Sequence, residues 1–205
     1  TAGKPLISML SRLGADFGFS VEIEKGIPLG SGLGGSAASA VGAVVAANAL
    51  LETPFSREEL LGFALDGESV ASGARHGDNV APCLYGGMTF CPPDVGIRRG
   101  ARVRSVDFPD GLRAVVVHPE FVLETKTARA ALSPELSLST HVAQSARLAS
   151  LLLGLSSGDL DSISAGLEDL LVEPQRSKLV PGFLDVKRSA IESGGKWKSN
   201  ASTRM

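Results

Sequence analysis

The run Pro28-Leu29-Gly30-Ser31-Gly32-Leu33-Gly34-Gly35-Ser36-Ala37-Ala38 concentrates more potential chemistry than any other stretch of this 205-residue chain. Four glycines and two serines fall within seven residues, and an apolar helical pattern follows at once. Glycine admits positive φ and lets main-chain N–H donors approach a ligand with no Cβ in the way. A helix N-terminus adds unpaired N–H groups and roughly +0.5 of an elementary charge. Together these make a phosphate cradle that requires no basic side chain.

Two rival glycine motifs can be tested on the same residues. Gly30, Gly32 and Gly35 satisfy the G-x-G-x-x-G dinucleotide fingerprint. That fingerprint follows a strand buried inside a parallel sheet, which reads as a nearly continuous apolar run. Here the preceding segment alternates with Glu22, Glu24 and Lys25, and Gly26-Ile27-Pro28 separates it from the loop. The pattern argues against a dinucleotide. A Walker A loop is excluded because its Gly-Lys-Ser/Thr ending is absent. A glycine-rich turn with no ligand stays open at this point.

A second constellation follows. Glu68-x-x-x-Ser72-Gly73-x-x-His76-x-Asp78-Asn79-Val80-Ala81-Pro82 gathers two carboxylates, a hydroxyl, an imidazole and an amide within fifteen residues. Glu68 ends an amphipathic helical pattern, where one carboxylate oxygen can hold a divalent cation beside a phosphate. Taken singly, Glu68 is equally a solvated helix-face charge and His76 a hydrogen-bonded loop histidine. Asp78 and Asn79 are equally caps for a helix that Pro82 begins. Arg129, in Thr125-Lys126-Thr127-Ala128-Arg129, and Arg176, in Glu173-Pro174-Gln175-Arg176, can each grip a carboxylate bidentately. Read one at a time, each also fits a surface arginine.

The elements that must position these groups are legible from periodicity. Pro5–Leu13 reads as an amphipathic helix, and Phe19–Lys25 as a strand with Val21 and Ile23 buried on one face. Ser36–Leu51 is a buried helix. It is too short for the ~20 apolar residues of a membrane span, and it carries Asn48. Ser56 and Glu59 form a capping box for a helix to about Val70. Strands are expected near Gly87–Phe90, Val103–Phe108 and Arg113–His118. Helices are expected at Thr125–Leu132, His141–Leu155, Leu160–Leu171 and Val180–Ser193. The shift from strand-bearing to helix-rich sequence places a boundary near residue 112. Gly194–Met205 is polar and non-periodic and reads as a tail.

The bulk numbers exclude several classes. A net charge of −2, with 43% hydrophobic and 20% charged residues, describes a globular protein with no surplus for nucleic acid or anionic lipid. The start is amphipathic and lacks the apolar centre of a secretory signal. Two cysteines make neither a disulfide framework nor a metal pattern, which fits a reducing cytoplasm.

With these stretches in place, the chain resembles the homoserine kinases of the GHMP kinase superfamily. Pro28-x-x-x-Gly32-Leu33-Gly34-Gly35-Ser36-Ala37 is similar to the superfamily's ATP loop, which more often has Ser where this chain has Gly35. The likeness to homoserine kinases rests on Gly67-Glu68 through Gly87, on Glu124-Thr125-Lys126-x-Ala128-Arg129, and on Glu173-Pro174-x-Arg176 with Leu179-x-Pro181-Gly182-Phe183. It covers about residues 3 to 193.

The resemblance implies ATP- and Mg²⁺-dependent phosphorylation of the side-chain hydroxyl of L-homoserine, in threonine biosynthesis. It implies that Pro28, Gly30, Ser31, Gly32, Leu33, Gly34, Gly35, Ser36 and Ala37 wrap the triphosphate, with Ser36 and Glu68 at the metal. His76, Arg129 and Arg176 would line the amino-acid site, the arginines facing its carboxylate. Asp78 and Asn79 would shape that site, and Thr125 would sit near the transferred group. Glu68, Thr125 and Arg129 are thus the expected catalytic residues, with no dedicated base. A homodimer is a family expectation. Another GHMP kinase, acting on a sugar or on mevalonate, and a non-catalytic ATP-binding remnant are the alternatives.

The implied fold is α+β, in the two-domain GHMP kinase arrangement. Residues 1–112 would form a partial N-terminal α/β domain, ribosomal-S5-domain-2-like with a left-handed crossover. Residues 113–193 would form a partial ferredoxin-like domain, with the site in the cleft between the two. The chain departs from the family at both ends. The family's N-terminal Pro-x-x-x-Gly-type segment does not appear. The likeness to its second glycine-rich stretch stops at Ser193-Gly194, leaving 194–205 outside the family. The expectation is an internal fragment, truncated at both ends and weakly stable and weakly active alone, because uncovered apolar faces and strand edges remain.

Overall fold

A computed structural model describes residues 1–28, 31–95, 102–118, 123 and 125–197, with backbone alone at 71, 72, 125, 126 and 129. The chain divides into two compact units, Thr1–Leu29 with Leu33–Val106, and Asp107–Met205 with Gly30–Gly32. The changeover at Val106 falls six residues before the sequence boundary near 112.

The first unit is a helical layer with one small hairpin. Its elements are α1 (Gly3–Leu13), α2 (Gly35–Asn48), α3 (Arg57–Ser72), α4 (Val80–Tyr85), β1 (Met88–Phe90) and β2 (Arg104–Val106). β1 and β2 pair antiparallel, with Thr89 opposite Ser105. The helix expected from Ser36 forms, and its lack of charge is explained by burial of Ala37, Ala40, Val41, Val44 and Ala47. Leu6 and Met9 of α1 and Leu60, Leu61, Ala64 and Leu65 of α3 complete the same core. Among the described residues, no helix is long and apolar enough to cross a membrane.

Two local devices set how α2 and α3 meet. Asn48 closes the turn between them: Phe55 N–H donates to its Oδ1 at 2.7 Å, and its Nδ2 donates to Phe55 O at 3.1 Å. The capping box is formed, with Glu59 N–H donating to Ser56 Oγ and Ser56 N–H donating to Glu59 Oε2. Further along α3, Gly67 lies where a Cβ would come within 2.8 Å of Thr1 O, 2.9 Å of Ala40 Cβ and 3.0 Å of Pro5 Cδ. Only a residue without a side chain allows α1, α2 and α3 to approach so closely, and the next residue is Glu68.

The second unit contains α5 (Thr125–Ala130), α6 (Leu138–Ser157), α7 (Leu160–Gly166), α8 (Glu173–Arg176), a 3₁₀ turn (Ser177–Leu179) and α9 (Phe183–Glu192). α6 and α7 pack against each other, aided by Ser150 Oγ donating to Ser162 O. Asp169, 9% exposed, accepts from the N–H groups of Leu171 and Val172 and so sets the entry into α8.

Two expectations are corrected. Residues 19–25 are not assigned as a strand, and Val21 and Ile23 are 47% and 49% exposed. Residues 113–118 are likewise not a strand, and Val115 is 89% exposed. The reason is common to both: local sequence can favour a strand, but a strand exists only with a partner for its ladder groups, and no described residue pairs with either segment. Trp197 packs edge-on against Phe183, with ring centroids 5.6 Å apart.

Two stability predictions follow from these contacts. Gly67→Ala should destabilise the chain by about 1–3 kcal/mol through overpacking, read as a lower melting midpoint. Ser56→Ala should cost about 1 kcal/mol. The Ser56 donors hold the Glu59 carboxyl below its ordinary value of 4.5. The box therefore contributes fully above that value and is lost as pH falls through the lower folded one. Chemical denaturation across acidic pH should show the Ser56→Ala penalty shrinking.

Candidate functional site

The loop enters α2 through two left-handed glycines, Gly32 at φ 76° and Gly34 at φ 74°. Gly34 occupies the N-cap position, and no side chain caps the helix. The first-turn N–H groups have no partner within the helix itself. They present a polar, partly positive end with no titratable group of its own.

The sequence-predicted carboxylate lies at this end. Ser36, in the first turn of α2, donates its hydroxyl to Glu68 Oε2 at 2.9 Å. Glu68 is 5% exposed, so the solvated-charge reading of this residue does not hold. A buried carboxylate needs polar partners or a cation to offset its desolvation. One carboxylate oxygen beside a hydroxyl is a donor set of the kind that hard cations share with phosphate oxygens. Among the described residues, no group of three or more His, Cys, Asp or Glu side chains could hold a metal ion.

The second constellation also reaches the loop. Asn79 stands at the N-cap of α4 but makes no side-chain capping bond, and that helix begins at Val80 rather than at Pro82. Its Oδ1 instead faces Gly34, so closely that a Cβ there would lie 3.1 Å away. His76 is half-buried and Asp78 exposed. Arg75 ties this turn back onto α3 through an ion pair with Asp66 and a bond from NH2 to Gly62 O at 3.3 Å. Burial, and then the Asp78 charge, push the Cys91 thiol up from its ordinary value.

Two features were not read from the sequence. Lys25 Nζ donates to Gly35 O at 2.9 Å, tethering the extended segment to the start of α2. Its position just before Gly26-Ile27-Pro28 was the available signal. Beside this tether lies a half-open groove of about 340 Å³, lined by Val21, Ile23 and Ile27 on one side and by Ala38, Gly42 and Ala46 on the other.

In the second unit, Arg176 is 1% exposed, which overturns its reading as a surface arginine. Its Nε donates to Ala128 O at 2.8 Å, joining α8 to α5. Thr125 and Arg129 belong to α5 by their backbone; their side chains, like Leu29, Gly30 and Glu124, lie outside the described residues.

Gly34→Ala tests the loop directly. A left-handed φ costs a non-glycine residue roughly 1–2 kcal/mol, and the new methyl would press on Asn79. The expected result is weaker binding of inorganic triphosphate by calorimetry, with a circular dichroism spectrum close to that of the parent.

Comparison with known proteins gives a consistent answer. Residues 4–87 match the GHMP kinases N terminal domain. The chain is 50% identical over 191 residues to homoserine kinase of Xanthomonas campestris pv. campestris, covering 93% of this chain and 57% of that protein. It is 47% identical over 193 residues to homoserine kinase of Xylella fastidiosa, covering 94% and 58%. The crystal structure of homoserine kinase from Cytophaga hutchinsonii superposes with a TM-score of 0.88 at 40% identity, covering 94% of this chain and 60% of that one. The chain therefore spans somewhat more than half the length of the curated relatives it matches.

Proposed function

We propose that this homologue of the homoserine kinases, which carries a GHMP kinase N-terminal domain, serves ATP-dependent phosphorylation of the side-chain hydroxyl of L-homoserine. The observation that carries the reading is the Ser36–Glu68 hydrogen bond at an uncapped helix N-terminus. It sets one buried carboxylate beside main-chain anion donors, which is the arrangement a metal-bound polyphosphate requires.

In this reading the N–H groups of the 30–37 loop and the first turn of α2 hold the triphosphate. Glu68 and Ser36 would hold Mg²⁺, which supplies Lewis-acid neutralisation of phosphoryl charge when bound. Phosphoryl transfer asks the protein mainly for alignment and charge stabilisation. The main-chain donors provide that stabilisation without reorganising. The groove between the 21–27 segment and α2 is mainly apolar, with Glu22, Glu24 and Lys25 on one wall and Ser39 on the other, and it reaches Gly35, so we assign it the nucleoside. Asn79 shapes the loop from the other side, His76 lines the amino-acid site with it, and Asp78 borders them. Arg129 and Arg176 receive the substrate carboxylate, and Thr125 lies near the transferred group. A carboxylate-specific pair of guanidiniums favours an amino-acid alcohol over the sugars and mevalonate of other GHMP kinases.

Glu68→Gln should lower turnover by roughly a hundredfold or more while ATP affinity stays within a few-fold. Unchanged turnover across a Mg²⁺ titration would remove Glu68 from the metal. Gly42→Leu should project a side chain into the groove from a position where a Cβ meets nothing within 4 Å. It should weaken ATP roughly tenfold, about 1.4 kcal/mol, and leave inorganic triphosphate binding unchanged. Equal loss of both ligands would place the nucleoside elsewhere.

A further inference from the structure

Glu173 is 7% exposed, and both of its oxygens are engaged. Lys187 of α9 pairs with Oε1, and the indole N–H of Trp197 donates to Oε2 at 3.2 Å. Trp197 also meets the ring of Phe183, the first residue of α9. One buried carboxylate thus gathers α8, α9 and the segment after it.

α8 is only four residues long, too short to hold its own geometry by helix propagation. Its direction must come from tertiary partners. Asp169 fixes its entry through two main-chain N–H groups. Gln175 bridges it outward, accepting from Ser133 N–H at 2.7 Å and donating to Leu171 O at 2.6 Å. Glu173, the first residue of α8, is the side chain that ties it toward the chain's C-terminal segment. Arg176 lies three residues on, within the same single turn, so a rotation of α8 about Glu173 would re-aim the guanidinium.

We propose that Glu173, Lys187 and Trp197 form a clasp that positions Arg176. Trp197, in the segment that follows α9, is a working part of it. The clasp is polar at its centre and apolar at its rim. The Lys187 charge offsets burial of the carboxylate, and the Phe183–Trp197 contact excludes water from the hydrogen bond. The link to catalysis rests on the reading of Arg176 as the receiver of the substrate carboxylate, and on nothing else in that reading.

Trp197 is the only tryptophan in the chain, so its fluorescence reports the clasp alone. In the 205-residue chain, Lys187→Met and Glu173→Gln should raise acrylamide quenching of Trp197 several-fold. Trp197→Phe keeps a ring against Phe183 but removes the donor, and it serves as the mild variant. Hydrogen exchange should accelerate several-fold in peptides covering residues 172–179 in all three variants, with α2 and α3 peptides unchanged. Unaltered exchange at 172–179 in Trp197→Phe and Lys187→Met would overturn the clasp. So would acceleration in step with α2, which marks general loosening.

Calorimetric titration with L-homoserine supplies the second readout. Its affinity should fall several-fold in Trp197→Phe, whereas an amino alcohol lacking the carboxylate should bind the variant and the parent alike. Equal losses for both ligands would overturn the positioning of Arg176. Absence of homoserine binding in the parent chain would instead strike the functional reading, and the exchange data would still decide the clasp.

Discussion

The candidate site depends on how closely α2 and α3 pass. Where they cross, Gly67 replaces any side chain with bare backbone, and Ala40 meets it with a single methyl. One residue beyond Gly67 is Glu68, and one turn before Ala40 is Ser36. The 2.9 Å bond between those two is the consequence of the crossing. A wider separation would leave the carboxylate buried without its hydroxyl partner, a state that costs more than the bond returns. Packing in the core and polarity at the helix end are therefore one arrangement.

The same unit shows how the entry into α2 is held. Asn79 lies against Gly34, and Lys25 holds the carbonyl of Gly35. Asn48 fixes the other end of α2 by gripping both polar groups of Phe55. A helix with no charged residue along its length is thereby anchored at each end by hydrogen bonds from outside itself.

Much of this was legible in the residues. The uncharged run from Ser36 to Leu51, the Ser56–Glu59 box and the helical spacing of His141–Leu155 each follow from local rules, and a helix formed at each. The Glu68–Ser36 pairing was readable because both residues belong to recognisable motifs, though not their 32-residue separation closing into a bond. What failed shares one cause. The alternation of Val21 and Ile23 and the valines at 115–117 describe what a strand would bury, whereas pairing is a property of two segments. Arg176 read alone fits the surface for a related reason: arginine is mostly exposed, and its burial beside Ala128 is decided by α5, nearly fifty residues earlier. Trp197 carried a signal of its own, a lone indole in a polar stretch, which composition averages away.

Main-chain amides do not titrate anywhere near neutrality, and apart from proline no substitution removes them. In the proposed reading, donors at the head of α2 hold the anion. They do not change protonation near neutrality, so any acid sensitivity in phosphate capture there belongs to the ligand's oxygens or to neighbouring side chains rather than to the donors themselves.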